Sequence, residues 1–139
     1  MSSRQIRNKI GQAMSKIRRC LEVDRLQPTE QGIQNLDLIQ LKRVLKDNWD
    51  NHDRLVKTMN TLMQLDISWA ALIMDNPIER RQKREFIERN GNYAALWEPC
   101  SQAIRRSKRL YEATMRLILQ RHPEADLPIR LVFEIFDYT

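Results

Sequence analysis

Between Leu36 and Met63 apolar residues recur at Leu38, Leu41, Leu45, Leu55, Met59 and Leu62. Spacing by three and four is the period of a helix that buries one seam against another helix. Val44, Trp49, Val56 and Met63 widen that seam on one flank, and no Pro or Gly interrupts it between Gly32 and Pro77. A helix of this length is a rod of roughly 60 Å. Such a rod cannot cover its seam by folding on itself, so it needs a partner of similar length.

The segment from Ile78 to His122 supplies one, with a seam at Phe86, Tyr93, Leu96, Trp97, Cys100, Ile104, Leu110, Tyr111, Met115 and Ile118. The pattern predicts an all-α fold: a long antiparallel hairpin of residues 29–75 and 77–122. A shorter N-terminal helix packs on it through Ile6, Ile10, Ala13, Met14, Ile17, Cys20 and Leu21. Ser2 or Ser3 caps that first helix, and Pro28 ends it near Arg25 or Leu26. Thr29 is the expected cap of the second helix. Trp69, Leu72 and Ile73 continue its pattern until Asp75-Asn76-Pro77 closes it, with Pro77 at the first position of the third. Gly91, with Asn90 and Asn92, weakens this rod locally, and Pro99 removes one intrahelical bond, so a kink is expected near Pro99. His122-Pro123 ends the third helix.

Helical periodicity then stops. Leu127, Ile129, Leu131, Phe133 and Ile135 alternate, as in a half-buried strand. The chain thus divides into a helical bundle, 1–126, and a hydrophobic tail, 127–139. A lone strand has no ladder to join in a helical domain. The tail, notably Leu131, Phe133, Ile135, Phe136 and Tyr138, is therefore expected to pack across the bundle or meet another molecule.

Charge sharpens this picture. Residues 1–27 carry seven basic and two acidic residues, a net of +5, and residues 28–76 carry five and seven, a net of −2. Residues 77–122 carry eleven and five, a net of +6, and residues 123–139 one and four, a net of −3. An acidic central helix between two basic ones suits packing at the seams. The surplus positive charge is left for an acidic partner. Arg80, Arg81, Lys83 and Arg84 form one basic cluster, and Arg105, Arg106, Lys108 and Arg109 a second. Their centres lie roughly 37 Å apart on an unbroken helix. A solvated face, a site for an acidic partner or RNA, and a nuclear-import signal all fit these clusters.

Candidate chemistry is sparse. Extending the central seam places Asn48 and His52 where leucines would otherwise stand. His52 has Asp50 and Asp53 nearby in sequence, but neither shares its helical face, as a zinc site would require. A buried polar pair that fixes register is the expected role. The sequence has no GxGxxG, Walker or GxSxG motif and no zinc finger. Catalysis, a metal, a cofactor and a small-molecule substrate are not expected. Cys20 and Cys100 lack CxxC spacing and suit buried, reduced thiols. With no membrane span and no secretory signal read, the expected setting is intracellular, in cytosol or nucleus.

The order of features resembles the N-terminal helical region of Gag-like polyproteins from BEL/Pao-type LTR retrotransposons. The likeness rests on residues 3–10 (Ser3 to Ile10), Leu41 to Leu62 with Trp49 inside, and Glu85-Phe86 to Tyr93. The tail adds Leu127-Pro128 and Phe136-Asp137. It departs from the pattern by one extra residue, a missing second Pro, and Tyr138 where Gly belongs. The resemblance implies a fragment of such an element or a host gene derived from one. It further implies self-association (a homo-oligomer) or docking of another protein. The charge pattern offers the alternative, RNA binding through the basic faces of the first and third helices.

Overall fold

Ser2 opens the first helix with a reciprocal cap. Its hydroxyl accepts the Gln5 amide at 3.2 Å, and the Gln5 side chain accepts the Ser2 amide at 2.9 Å. In the computed structural model, which describes residues 1–127, α1 runs Ser3–Leu26 and ends as Gln27 turns extended ahead of Pro28. Three further helices follow: α2 (Leu38–Ile73), α3 (Pro77–Asn90) and α4 (Trp97–Arg121). The fold is all-α, with no strand among the described residues. The tail residues Leu131, Phe133, Ile135, Phe136 and Tyr138 lie outside them.

Three expectations about the hairpin are corrected. The second helix starts at Leu38 rather than near residue 29. Thr29 caps no helix: its hydroxyl accepts the Gly32 amide at 2.9 Å in a turn ahead of a short 3-10 segment, Gly32–Asn35, whose N-cap is Gln31. The true start of α2 is Asp37, whose carboxylate accepts the Gln40 amide at 2.8 Å while the Gln40 side chain accepts the Asp37 amide at 3.0 Å. Gln stands at the third position there, where residue 32 offered only glycine.

The third helix breaks at Gly91 rather than bending at Pro99. Gly91 has φ +86°, a conformation L residues rarely adopt, and Asn92 then caps a 3-10 turn, Tyr93–Leu96. Pro99 falls in the first turn of α4, where a helix makes no use of backbone N–H groups.

The third correction concerns what covers α2. Asn51 bonds the Cys20 carbonyl and Ser3 bonds Glu79, so α1 runs antiparallel to α2 along its second half. Asn48 bonds the Ser107 carbonyl, and Arg121 reaches the Gln34 side chain at 3.1 Å, so α4 runs antiparallel along the first half. The partner rod is thus shared between α1 and α4, and α3 folds back beside α1 and the last turns of α2, with Gln82 at Arg7 and Lys83 at Asp66.

Two apolar clusters result. One joins α1 to Leu55, Leu62, Leu65, Trp69 and Ile73 of α2, with Tyr93, Cys100 and Ala103. The other joins Ile33, Leu41 and Leu45 to Leu110, Tyr111, Met115, Leu117 and Ile118. Each fully buried Leu or Ile contributes about 1.5–3 kcal/mol. Leu41, Leu45, Leu55 and Leu62 of the predicted seam are buried; Leu38 and Met59 are half-buried, and Leu72 is exposed.

Between the clusters lies a polar layer. Asn48 Nδ2 donates to the Ser107 carbonyl at 2.7 Å, and Asn51 Nδ2 donates to the Cys20 carbonyl at 3.0 Å. His52 Nδ1 stands 2.6 Å from Ser107 Oγ, which donates its one hydrogen to the Ile104 carbonyl at 3.0 Å. Trp49 stacks on His52 at 5.7 Å and tilts onto Tyr111 at 5.1 Å. The layer ties α2 to α1 and α4 at one height and so fixes their register.

Candidate interaction surface at the α2–α3 corner

The eight basic residues singled out in the sequence fall into distinct settings. Arg106 is structural: its Nε and Nη2 both donate to Asp24 Oδ2, at 3.1 and 2.7 Å, and the Asp24 side chain is only 5% exposed. A carboxylate in the last turn of α1 meets the negative end of that helix, and Arg106 offsets the repulsion. Lys83 is also engaged, 3.6 Å from Asp66 and 5.5 Å from the centre of the Trp69 ring. Asp66 further accepts the Tyr93 hydroxyl. Burial first, then that bond and the Asp66 charge, push the Tyr93 phenol well above its ordinary range. Arg105 stands 3.9 Å from Glu98 on an exposed face, a contact of little energetic weight. Lys108 is half-buried beside His52 and Arg109 is exposed.

Arg80, Arg81 and Arg84 are exposed and belong to a different surface. Helix α3 is capped by Asn76, whose side chain accepts the Glu79 amide at 3.2 Å, and Pro77 takes its first position. Its Glu79 and Gln82 meet Ser3 and Arg7 of α1, and Phe86 meets the Trp69 edge at 5.6 Å. None of its fourteen residues is buried. The helix is therefore a flange held by one face.

Its other face leaves a groove of about 520 Å³ against α2, lined by Ile73, Pro77 and Ile87 together with Arg80, Lys83 and Arg84. Met74 and Ile78 flank the turn there, 67% and 72% exposed. Met63, Ile67, Ala70 and Met74, spaced by four, three and four, form a second and outward apolar stripe on α2 leading to the same corner. Periodicity reading missed this stripe because it was tuned to the core seam. Met63, expected to widen the core seam, is instead 43% exposed and belongs to this outer stripe.

A second groove, of about 550 Å³, opens between α1 and α2, where Ala13 and Thr58 are too small to close it. Lys9, Lys16, Arg54 and Lys57 line it with Asp50 and Asp53, and Lys57 pairs with Asp53 at 2.8 Å. These residues come from two helices far apart in sequence, so no run of basic residues announced them.

Among the described residues no group of three or more His, Cys, Asp and Glu is placed to hold a metal. Cys20 and Cys100 are free and buried; burial holds both thiols above the usual range, Cys100 at about 11. Such thiols are protonated and unreactive.

Burial lowers the pKa of His52; the Lys108 charge adds to this, and Asp53 opposes it. Above the unfolded value near 6.5 both states are neutral, and the layer contributes fully. As pH falls below it, the unfolded chain takes up a proton that the folded chain resists, so stability declines. Urea midpoints are expected to fall between pH 7 and 5, with a shallower slope for His52→Leu; an unchanged slope contradicts a buried neutral imidazole.

Compared with known protein families, curated proteins and solved structures, the chain shows no match.

Proposed function

We propose that the chain is a non-enzymatic helical docking module that binds protein, with the α2–α3 corner as its docking surface. One observation carries this reading: Met74 and Ile78 stand exposed beside Arg80, Arg81 and Arg84 at the end of an apolar stripe. Single exposed apolar residues are ordinary, but a stripe bordered by charge is the composition of a binding face. The chemistry fits an apolar, acidic partner segment. The resemblance to Gag-like helical regions points to the same class of function. The His52–Ser107 pair favours catalysis little, since both groups are buried and the serine hydrogen is held by a backbone carbonyl.

A second reading, RNA binding, is favoured by the packing of α1 beside α3. Arg7 reaches Gln82 at 2.9 Å and Arg18 reaches the Asn90 carbonyl at 3.3 Å, which brings two basic helices into one surface. Glu79, Glu85 and Glu88 dilute that surface. Titration with a designed acidic amphipathic helical peptide and with single-stranded RNA separates the two. The docking reading expects the peptide to bind, with affinity falling at least about tenfold in Met74→Glu/Ile78→Glu. Folding stability should stay within about 0.5 kcal/mol, as for other surface changes. A steeply salt-dependent RNA affinity with no peptide binding supports the alternative. A chain that leaves the peptide unbound and stays monomeric contradicts the docking reading.

A further inference from the structure

The corner groove is apolar and basic. Residues 131–137 of the same chain, Leu131 to Asp137, are the converse: five apolar residues with Glu134 and Asp137 and no basic one. Their composition complements Ile73, Pro77 and Ile87 on one side and Arg80 and Arg84 on the other. Whether the segment can meet its own groove is a question of distance.

Leu127 packs against the cluster built on Ile33, Leu41, Leu45 and Met115, at the far end of α2 from the corner. Of the α2 residues buried in that cluster, Leu45 comes nearest to Ile73, yet 28 residues of continuous helix separate the two. At ~1.5 Å per residue that is roughly 42 Å. Phe133 is six residues beyond Leu127 and Asp137 ten; fully extended, they reach roughly 20 and 34 Å. The near rim of the groove, Lys83 beside Asp66, is 21 residues from Leu45, roughly 32 Å, so only Asp137 comes within range of it while Leu131 to Ile135 fall short on their own molecule. A second molecule carries no such limit.

We propose that the α2–α3 groove receives residues 131–137 of a second copy of this chain, so that copies join head to tail. The inference rests on the corner being a docking surface and names its occupant. A contact between two different patches leaves one groove and one segment open on every dimer. It therefore propagates into rings or open chains rather than stopping at a symmetric pair. Because arginines face carboxylates at the rim, assembly weakens as salt rises.

The test uses two full-length variants and light scattering over a range of protein concentration. Arg80→Glu/Arg84→Glu reverses the charge of the groove at exposed positions and leaves Lys83 on Asp66. Phe133→Glu/Ile135→Glu spoils the segment. The wild-type chain is expected to grow beyond a dimer with concentration, and each variant alone to associate at least about tenfold more weakly. An equimolar mixture of the two keeps one intact segment and one intact groove, and is expected to stop at a heterodimer. A wild-type chain that remains monomeric overturns the inference but leaves the corner free to bind a different protein. Assembly lost in the groove variant but kept in the segment variant also overturns it, and retains the corner as the docking surface. If the segment variant loses thermal stability without any change in mass, the segment packs on its own molecule and the inference fails.

Discussion

Replacing Trp69 by alanine is expected to remove about 3–5 kcal/mol of folding stability. Trp69 is 0% exposed, lies in the cluster that joins α1 to the second half of α2, and is the largest fully buried side chain among the described residues. It also supports the flange. Phe86 meets its edge and Lys83 lies over its ring, and α3 has no buried residue of its own to replace them. The alanine variant should therefore lose α3 before it loses the bundle. The indole Nε1 is buried without a protein partner, a cost that phenylalanine would not carry. Trp69→Phe should accordingly cost less than about 2 kcal/mol. Urea denaturation followed by circular dichroism measures both; a loss under about 1 kcal/mol for alanine contradicts this role.

The second large effect belongs to the other cluster. Leu41 is 0% exposed among Ile33, Leu45, Leu110 and Ile118, and Leu41→Ala is expected to cost about 2–5 kcal/mol. Leu41 and Trp69 share one helix but lie 28 residues apart in different clusters, with the Asn48–Asn51–His52 layer between them. The double variant Leu41→Ala/Trp69→Phe should add to within about 0.5 kcal/mol. A coupling above about 1 kcal/mol would mean that the two clusters act as one core.

The helical class and the buried faces were legible from spacing alone. Ile6, Ile10, Ile17, Leu41, Leu55 and Leu62, each picked by its three-and-four rhythm, are 0–1% exposed. Cap chemistry was legible in part: of Ser2 and Ser3 it is Ser2 that caps α1, and Pro77 takes the first position of α3 as its place after Asp75-Asn76 implies. Asn48 and His52 were recognised as a polar interruption of the seam, and both are buried in the layer.

What spacing could not reveal was the pairing of rods. An apolar face states that a partner exists, not which one. Here α1 rather than α3 covers the second half of α2, because Gly91 turns the chain and detaches α3 from α4. Pro99 bends nothing because proline is harmless in a first turn, whereas Gly91 at positive φ ends the helix. The two basic clusters looked alike in sequence and proved different in structure. Arg106 neutralises a buried carboxylate from a helix 82 residues away, and no local pattern announces that contact. Arg80 and Arg84 line an open groove because α3 presents only one face to the bundle.

These elements describe one mechanical arrangement: α2 as a continuous spine buried at two places, and α3 as a weakly held flange that presents the docking surface. Native-state amide hydrogen exchange reads that arrangement residue by residue. The account predicts the slowest exchange at Leu41–Leu45 and Leu55–Trp69 of α2, with Pro77–Asn90 opening well before global unfolding. Protection in α3 equal to that of α2, or a rapidly exchanging break in α2 at Asn48–His52, would contradict it.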